Sequence, residues 1–232
     1  MAISSASISR SPSRSAQAVR IWDLPTRVFH WVLAATIFGA ILTVKLGGNW
    51  MDWHIRLGTT ALALLSFRIV WGIVGSRYAR FASFLYSPKT AWAYLRSARG
   101  EPVKHYAGHN PAGAASVFIL LLTLLLQVVT GLFSSDSISV EGPWAKYLSE
   151  EHVSLATTIH HWMEWPLYAL IGLHIGAVFF YLLAKKENLI RPMLTGDKNL
   201  PGARPAKDTW LVRLAGLGLL GTAMASAIWF LR

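Results

Sequence analysis

A chain of 232 residues could make one or two soluble domains, but 53% hydrophobic against 14% charged residues, at a mean hydropathy of +0.41, excludes an ordinary soluble globule. The formal net charge of +11 does not indicate nucleic acid, because the cations sit in segments between long apolar runs. Zero cysteines exclude disulfides, thiolate metal sites, iron–sulfur clusters and the C-x-x-C-H attachment of covalent haem.

Residues 1–20 are basic and Ser-rich, without the apolar core or cleavage site of a signal peptide, and read as a disordered cytoplasmic tail with a polybasic membrane-surface role as an alternative. Five apolar runs follow, at approximately 28–46, 53–74, 113–133, 159–184 and 210–231. Each is near the roughly 20 residues that a hydrocarbon core of about 30 Å requires. The tail carries Arg10, Arg14, Arg20 and Arg27, and the segments between runs two and three and between runs four and five carry six Lys or Arg each. The other two connections hold Lys45 and Asp52, and Asp136, Glu141, Lys146, Glu150 and Glu151. The positive-inside rule then puts the N-terminus in the cytoplasm and the C-terminus outside.

Ahead of the first run, IWDLPTR offers Asp23 as a helix cap and Pro25 as a first-turn proline, with Trp22 and Trp31 suited to an interfacial belt. His30 lies toward the inner side. Gly47, Gly48 and Asn49 break the chain outside, and the second run opens with WHIRLG, which puts His54 at the outer side. Gly58, one turn on, suits close approach of a flat cofactor or ordinary packing of small residues. Arg68 shares the face of His54 about 21 Å deeper, and two readings stay open: an anionic partner, or a side chain snorkelling to the surface.

The long inner segment contains SPKTAWAYLRSA, which reads as a short amphipathic interfacial helix presenting Trp92, Tyr94 and Leu95, and ends at GHNP. Run three has no histidine or carboxylate and reads as a packing helix, with Thr123, Gln127 and Thr130 as inter-helix hydrogen-bonding groups. The outer connection of about 24 residues suits a docking surface or a solvated linker. Run five reads as an accessory helix, and no internal repeat points to an inverted-repeat transporter.

Run four, IHHWMEWPLYALIGLH, carries the chemistry. Fourteen residues separate His160 from His174, which in a helix is about 40° short of four turns and about 21 Å of rise. His161 turns about 100° away from that stripe. The topology pairs His54 with His160 near the outer face and His30 with His174 near the inner face. The second match is imperfect, since His174 precedes Lys185 by more than His30 follows Arg27, and a tilted or protruding fourth helix repairs it. Zinc wants about four protein ligands, and each site shows two imidazoles with no thiol or nearby carboxylate. Haem iron brings its own equatorial nitrogens, so two non-covalent b-type haems with bis-histidine ligation fit best. The fold class expected is an all-α integral membrane protein: a four-helix bundle over 21–195 holding both haems, then a linker and fifth transmembrane helix over 196–232. Arg27, Arg56 and Arg68 are the expected propionate partners, with snorkelling as the alternative for each.

DLPTRVFHW, WHIRLG, GHNP, and IHH followed by IGLH resemble the prokaryotic cytochrome b561 family, most nearly the b-type cytochrome subunits of nickel–iron hydrogenases, over roughly residues 20–195. The resemblance implies haem ligation by His30, His54, His160 and His174, in a bacterial inner membrane. It further implies electron exchange between the quinone pool and a redox partner, here a periplasmic cytochrome c or a hydrogenase or reductase subunit. A homodimer is open, and nucleic acid is not expected. Two other functions stay in view: a stand-alone oxidoreductase passing electrons from superoxide to quinone, which the acidic outer loop disfavours, and a non-redox scaffold or transporter. His105 and His109, near a quinone headgroup position, and His152 read as surface or structural residues, with His109, Lys104 and Arg68 as candidates for proton exchange at the inner site.

Overall fold

The computed structural model describes residues 18–97 and 105–230, so most of the tail, and Arg99, Gly100, Pro102 and Lys104 of the inner segment, lie outside the described residues. Five helices are long and apolar enough to cross a membrane. The end that carries the basic segments is called inner below.

Helix α1 (Leu24–Leu46) begins where the capping motif predicts: Thr26 N donates to Asp23 Oδ1 at 2.7 Å, with Pro25 in the first turn. The other carboxylate oxygen accepts from the Trp71 indole at 3.2 Å. Asp23 is thus buried without exposed surface yet satisfied, joining the first two helices. Gly47 and one 3₁₀ turn over Gly48–Trp50 reverse the chain into α2 (Met51–Val74). Helix α2 forms the centre of the molecule, with Ala61, Leu64, Leu65, Phe67 and Trp71 buried against Phe29 and Leu33 of α1. Leu124 and Val128 join that core from α4 (Pro111–Leu132), which starts at Asn110, whose Oδ1 accepts from Gly113 N at 2.7 Å. Trp22, expected in an interfacial belt, is instead 8% exposed and packs on His109, with ring centres 4.9 Å apart.

Short helix α3 (Pro88–Ser97) leaves Trp92 and Leu95 exposed, as an interfacial helix requires. Tyr94, two residues and about 200° from Trp92, turns the other way, and its hydroxyl meets that of Tyr181 at 2.7 Å.

Helix α5 (Glu150–Leu183) has 34 residues and begins nine positions before the apolar run does. Glu150 and Glu151 in its first turn suit the positive end of the helix dipole, a polar start that hydropathy does not register. The outer connection is correspondingly shorter, and His152 lies on the helix, not in a loop. At about 1.5 Å per residue α5 is about 51 Å long, and its first turns project past α4, held by Ser135 N donating to Thr157 Oγ1 at 3.0 Å. Leu167 is its one buried residue, because α5 packs along α4 and stands off from α1 and α2.

Two strands, β1 (Ala18–Arg20) and β2 (Asp197–Asn199), pair antiparallel after the one-and-a-half-turn helix α6 (Ile190–Thr195). Between α6 and β2, Gly196 has φ +90°, and a Cβ there would strike Arg20 and the Trp22 carbonyl. Its own carbonyl accepts from Ile21 N at 2.8 Å and Trp22 N at 3.1 Å, which only so close an approach allows. Helix α7 (Trp210–Phe230) packs along α2, with Gly216 against Pro25 and Val212, Leu219, Leu220 and Ala223 covering the core. Asp208 anchors its start. The carboxylate accepts from Leu24 N at 3.1 Å and pairs with Arg20 at 3.3 Å and Arg213 at 3.0 Å. Burial pushes the Asp208 carboxyl up, but Arg213, the Leu24 amide and Arg20 outweigh it and hold it below the usual range.

Candidate functional site

At the outer end the imidazoles of His54, on α2, and His160, on α5, face each other with ring centres 6.2 Å apart and planes at 79°. Each is oriented by a neighbouring helix. His54 Nδ1 lies 2.9 Å from the Ala40 carbonyl of α1, and His160 Nδ1 lies 2.8 Å from the Gln127 carbonyl of α4. A carbonyl oxygen only accepts, so both Nδ1 atoms carry the proton and both Nε2 atoms present a lone pair, the tautomer of a metal-binding imidazole. Gly131 makes room for the His160 ring, since a Cβ there would stand 2.8 Å from Cε1 and 3.0 Å from Nδ1.

A cleft with about 1220 Å³ of empty space, its open mouth included, surrounds this pair. Its walls are mainly apolar, among them Ile37, Ile41, Ile55 and Val128, and Gly58 borders it with open space before its Cα. That leaves room beside His54 for a flat ligand. One wall is polar and departs from expectation. Glu164, one turn after His160, lines the cleft and accepts from Tyr168 OH at 2.6 Å and from Lys45 of α1. A carboxylate therefore does stand near the outer pair; its four-residue spacing from His160 was the sequence signal for it.

At the inner end His30, on α1, and His174, on α5, have ring centres 6.3 Å apart at 50°. Pro166 lies between His160 and His174 and interrupts the i→i−4 ladder, yet both imidazoles reach the same side of α5. The mismatch in depth is resolved by α5 running nine residues beyond His174 to Leu183. Two metal–nitrogen bonds of about 2.0–2.1 Å, with about 1.1 Å from each nitrogen to its ring centre, would set two imidazoles on one ion about 6.3 Å apart. Both pairs match. Among the described residues no group of three or more His, Cys, Asp or Glu surrounds a common point.

Of the expected cations, Arg68 does not snorkel: it is 4% exposed, with its guanidinium over the Phe81 ring at 4.5 Å. Arg27 donates from Nη1 to the Leu194 carbonyl at 2.6 Å, near the inner pair. Arg56 is placed elsewhere. It is exposed, stacks on Trp53 at 5.4 Å and is not among the cleft residues, because two residues past His54 a helix has turned about 200°. His161 borders the outer cleft, with its ring centre 6.2 Å from that of His160. Gln127 bridges α4 and α5 as expected, its side-chain amide lying 3.4 Å from His160 Nε2, whereas Thr130 bonds back to carbonyls of its own helix. His109 is wedged between Trp22 and Phe84, with ring centres at 4.9 and 4.5 Å, and burial, then Arg68 and the inner histidines, pushes it down to about 3. Tyr181, two turns past His174, meets both Tyr94 OH at 2.7 Å and the Asn110 amide at 3.1 Å.

Comparison with known proteins gives the same architecture a lineage. Residues 21–196 match the family model described as prokaryotic cytochrome b561. The chain is 23% identical over 215 residues to a probable Ni/Fe-hydrogenase B-type cytochrome subunit of Rhizobium leguminosarum bv. viciae, covering 78% of this chain and 89% of that one. It is 25% identical over 225 residues to the corresponding protein of Azotobacter chroococcum mcd 1, covering 83% and 93%. To the probable Ni/Fe-hydrogenase 1 B-type cytochrome subunit of Escherichia coli (strain K12) it is 22% identical over 214 residues, covering 77% and 90%. No solved structure matches the chain. With the family model spanning most of the chain, five apolar helices and paired imidazoles, the chain belongs to the prokaryotic cytochrome b561 family of multi-pass membrane electron-transfer proteins that carry haem b.

Proposed function

We propose that this protein holds two b-type haems, one between His54 and His160 and one between His30 and His174, and conducts electrons across the bacterial inner membrane between the quinone pool and a periplasmic redox protein. The observation that carries this reading is the pair of imidazole couples, at 6.2 and 6.3 Å, on opposite ends of one helix. The residues suit the group: proton-bearing Nδ1 atoms fixed by carbonyls at the outer site, open space at Gly58, and the buried Arg68 at the inner one. A haem with both axial positions taken by histidine supplies one-electron transfer and leaves no coordination site for substrate.

The chain's own residues do the rest. Ala40 and Gln127 orient the outer imidazoles through their carbonyls, and apolar side chains keep water from the cleft. Arg27 and Arg68 supply positive charge toward the inner propionates. Near His174, the Tyr94 and Tyr181 hydroxyls and the Asn110 amide are donors of the kind a quinone carbonyl accepts. Named hydrogenase subunits among the relatives favour a hydrogenase as the periplasmic partner. The basic inner segments support an N-terminus in the cytoplasm and a C-terminus outside.

The test is the visible spectrum and haem content of the purified protein. Two low-spin b-type haems per chain are expected, and Ala at His30, His54, His160 or His174 should each remove one while His161→Ala keeps both. A haem-free protein would end the reading, and loss of haem from His161→Ala but not His160→Ala would reassign the outer ligand.

A further inference from the structure

Among the described residues, seven buried side-chain atoms have no hydrogen-bond partner, and six of them lie toward the inner end: Thr26 Oγ1, Arg27 Nε, His30 Nδ1, Arg68 Nη1, Ser76 Oγ and His109 Nδ1. A buried polar atom left unpaired is costly, more so when charged, so such a concentration marks a place where something else completes the bonding. Arg68 is the most demanding. Its guanidinium is buried, and among the described residues no carboxylate lies within ion-pair distance of it. Asp23, the negative charge within its electrostatic reach, already uses its oxygens on Thr26 N and the Trp71 indole. A buried cation of this kind needs an anion.

His109 is the neighbour that no role yet accounts for. It lies within electrostatic reach of Arg68, His30 and His174 together. Its ring is clamped between Trp22 and Phe84, and its backbone is fixed by Tyr86 OH donating to its carbonyl at 3.3 Å and by the Asn110 cap that follows. The clamp determines where Nδ1 points, and among the described residues nothing receives it.

We propose that Arg68 Nη1 and His109 Nδ1 together bind a carboxylate of the inner cofactor, one propionate of the haem between His30 and His174. The inference rests on the two-haem reading. Bound to a carboxylate, the Arg68 guanidinium and the His109 N–H would offset its negative charge and so would favour the reduced over the oxidised cofactor. His109 is accordingly a positioning residue that tunes the inner centre without touching iron.

The experiment is redox titration of the purified protein and of His109→Ala, His109→Gln and Arg68→Lys, with haem content and spin state recorded on each. Comparison with His174→Ala, which lacks the inner haem, identifies which midpoint potential is the inner one. His109→Ala should keep both haems low-spin and lower the inner potential by the equivalent of about tenfold in the reduction constant, about 59 mV for one electron, leaving the outer one in place. His109→Gln, which restores an N–H donor, should recover most of the shift, and Arg68→Lys, which keeps charge but not the fork, should lower it. Unchanged inner potentials in His109→Ala and Arg68→Lys, with two haems bound, would overturn the proposal while leaving the haem sites standing. Loss of the inner haem in both His109→Ala and His109→Gln, with His30→Ala retaining it, would overturn it in favour of His109 as an iron ligand. A wild-type protein without haem would remove the reading beneath it as well.

Discussion

Gly131→Ala should damage the outer site selectively, and the size of the effect follows from one contact. The added Cβ would stand 2.8 Å from His160 Cε1 and 3.0 Å from Nδ1, when carbon atoms pack at about 3.5–4.0 Å. The ring must retreat by more than half an ångström, and it retreats from the 2.8 Å bond to the Gln127 carbonyl that fixes its tautomer. Overpacking of this kind costs about 1–3 kcal/mol, whereas alanine in place of a mid-helix glycine returns up to about 1 kcal/mol of helix propensity. With the full return the fold should lose about 0–2 kcal/mol, while the haem proposed at the outer site, which alone bears the displacement, should bind about 5- to 150-fold more weakly, 1.4 kcal/mol being tenfold. The assay is haem per chain and the two midpoint potentials after purification, with Gly172→Ala as a control, since that glycine faces open space. A Gly131→Ala protein with two haems and an unmoved outer potential would refute the assignment of His160 and return attention to His161.

Two further predictions concern the ends of the bundle. Asp208→Asn should lower the thermal stability of the purified protein by about 1–2 kcal/mol, the upper range for bonds to a charged group being discounted because Arg213 is half exposed. Since the folded Asp208 carboxyl lies below its unfolded value of about 3.9, its stabilisation is complete above that value and disappears as pH falls through the folded one. The gap between the two proteins should be constant above about pH 5 and close below about pH 4; a gap that widens on acidification would refute the clamp. At the outer end, a double-mutant cycle on Lys45→Met and Glu164→Gln should give a coupling of about 1 kcal/mol or less, because the lysine is 59% and the glutamate 28% exposed. A coupling of about 3 kcal/mol or more would mean that the pair is shielded by lipid and behaves as a buried one.

The histidine pairs were legible because helical phase and charge asymmetry are both one-dimensional signals, and each holds along a single span. The same arithmetic carried two residues past His54 turns Arg56 away from the outer cleft, where the structure leaves it exposed on Trp53. Trp22 was unreadable for a different reason: an interfacial tryptophan and one packed on His109 have the same sequence neighbourhood, and the choice depends on Phe84 and α4 arriving from elsewhere. The start of α5 was missed because its first turns are polar and hydropathy registers lipid contact, not helix. Glu164 was passed over inside an apolar run, although its spacing from His160 placed it on the same face.

The low burial of α5 follows from what it is for. Helix α2 buries nine residues against protein, while α5, ten residues longer, buries one. A membrane helix gains nothing from apolar contact that lipid does not equally provide, so its position must come from directional links. Among the described residues those links include Ser135 to Thr157 and Lys45 to Glu164 outside, Tyr94 and Asn110 to Tyr181 inside, and His160 to the Gln127 carbonyl along α4. Between them α5 faces α1 and α2 across the two imidazole pairs, each at the separation of two ligands on one ion. A helix that packed tightly there would close the space a macrocycle needs. The same standoff that leaves α5 poorly packed by protein leaves His160 and His174 facing His54 and His30, so the two haems proposed there would complete the interface as well as the wire.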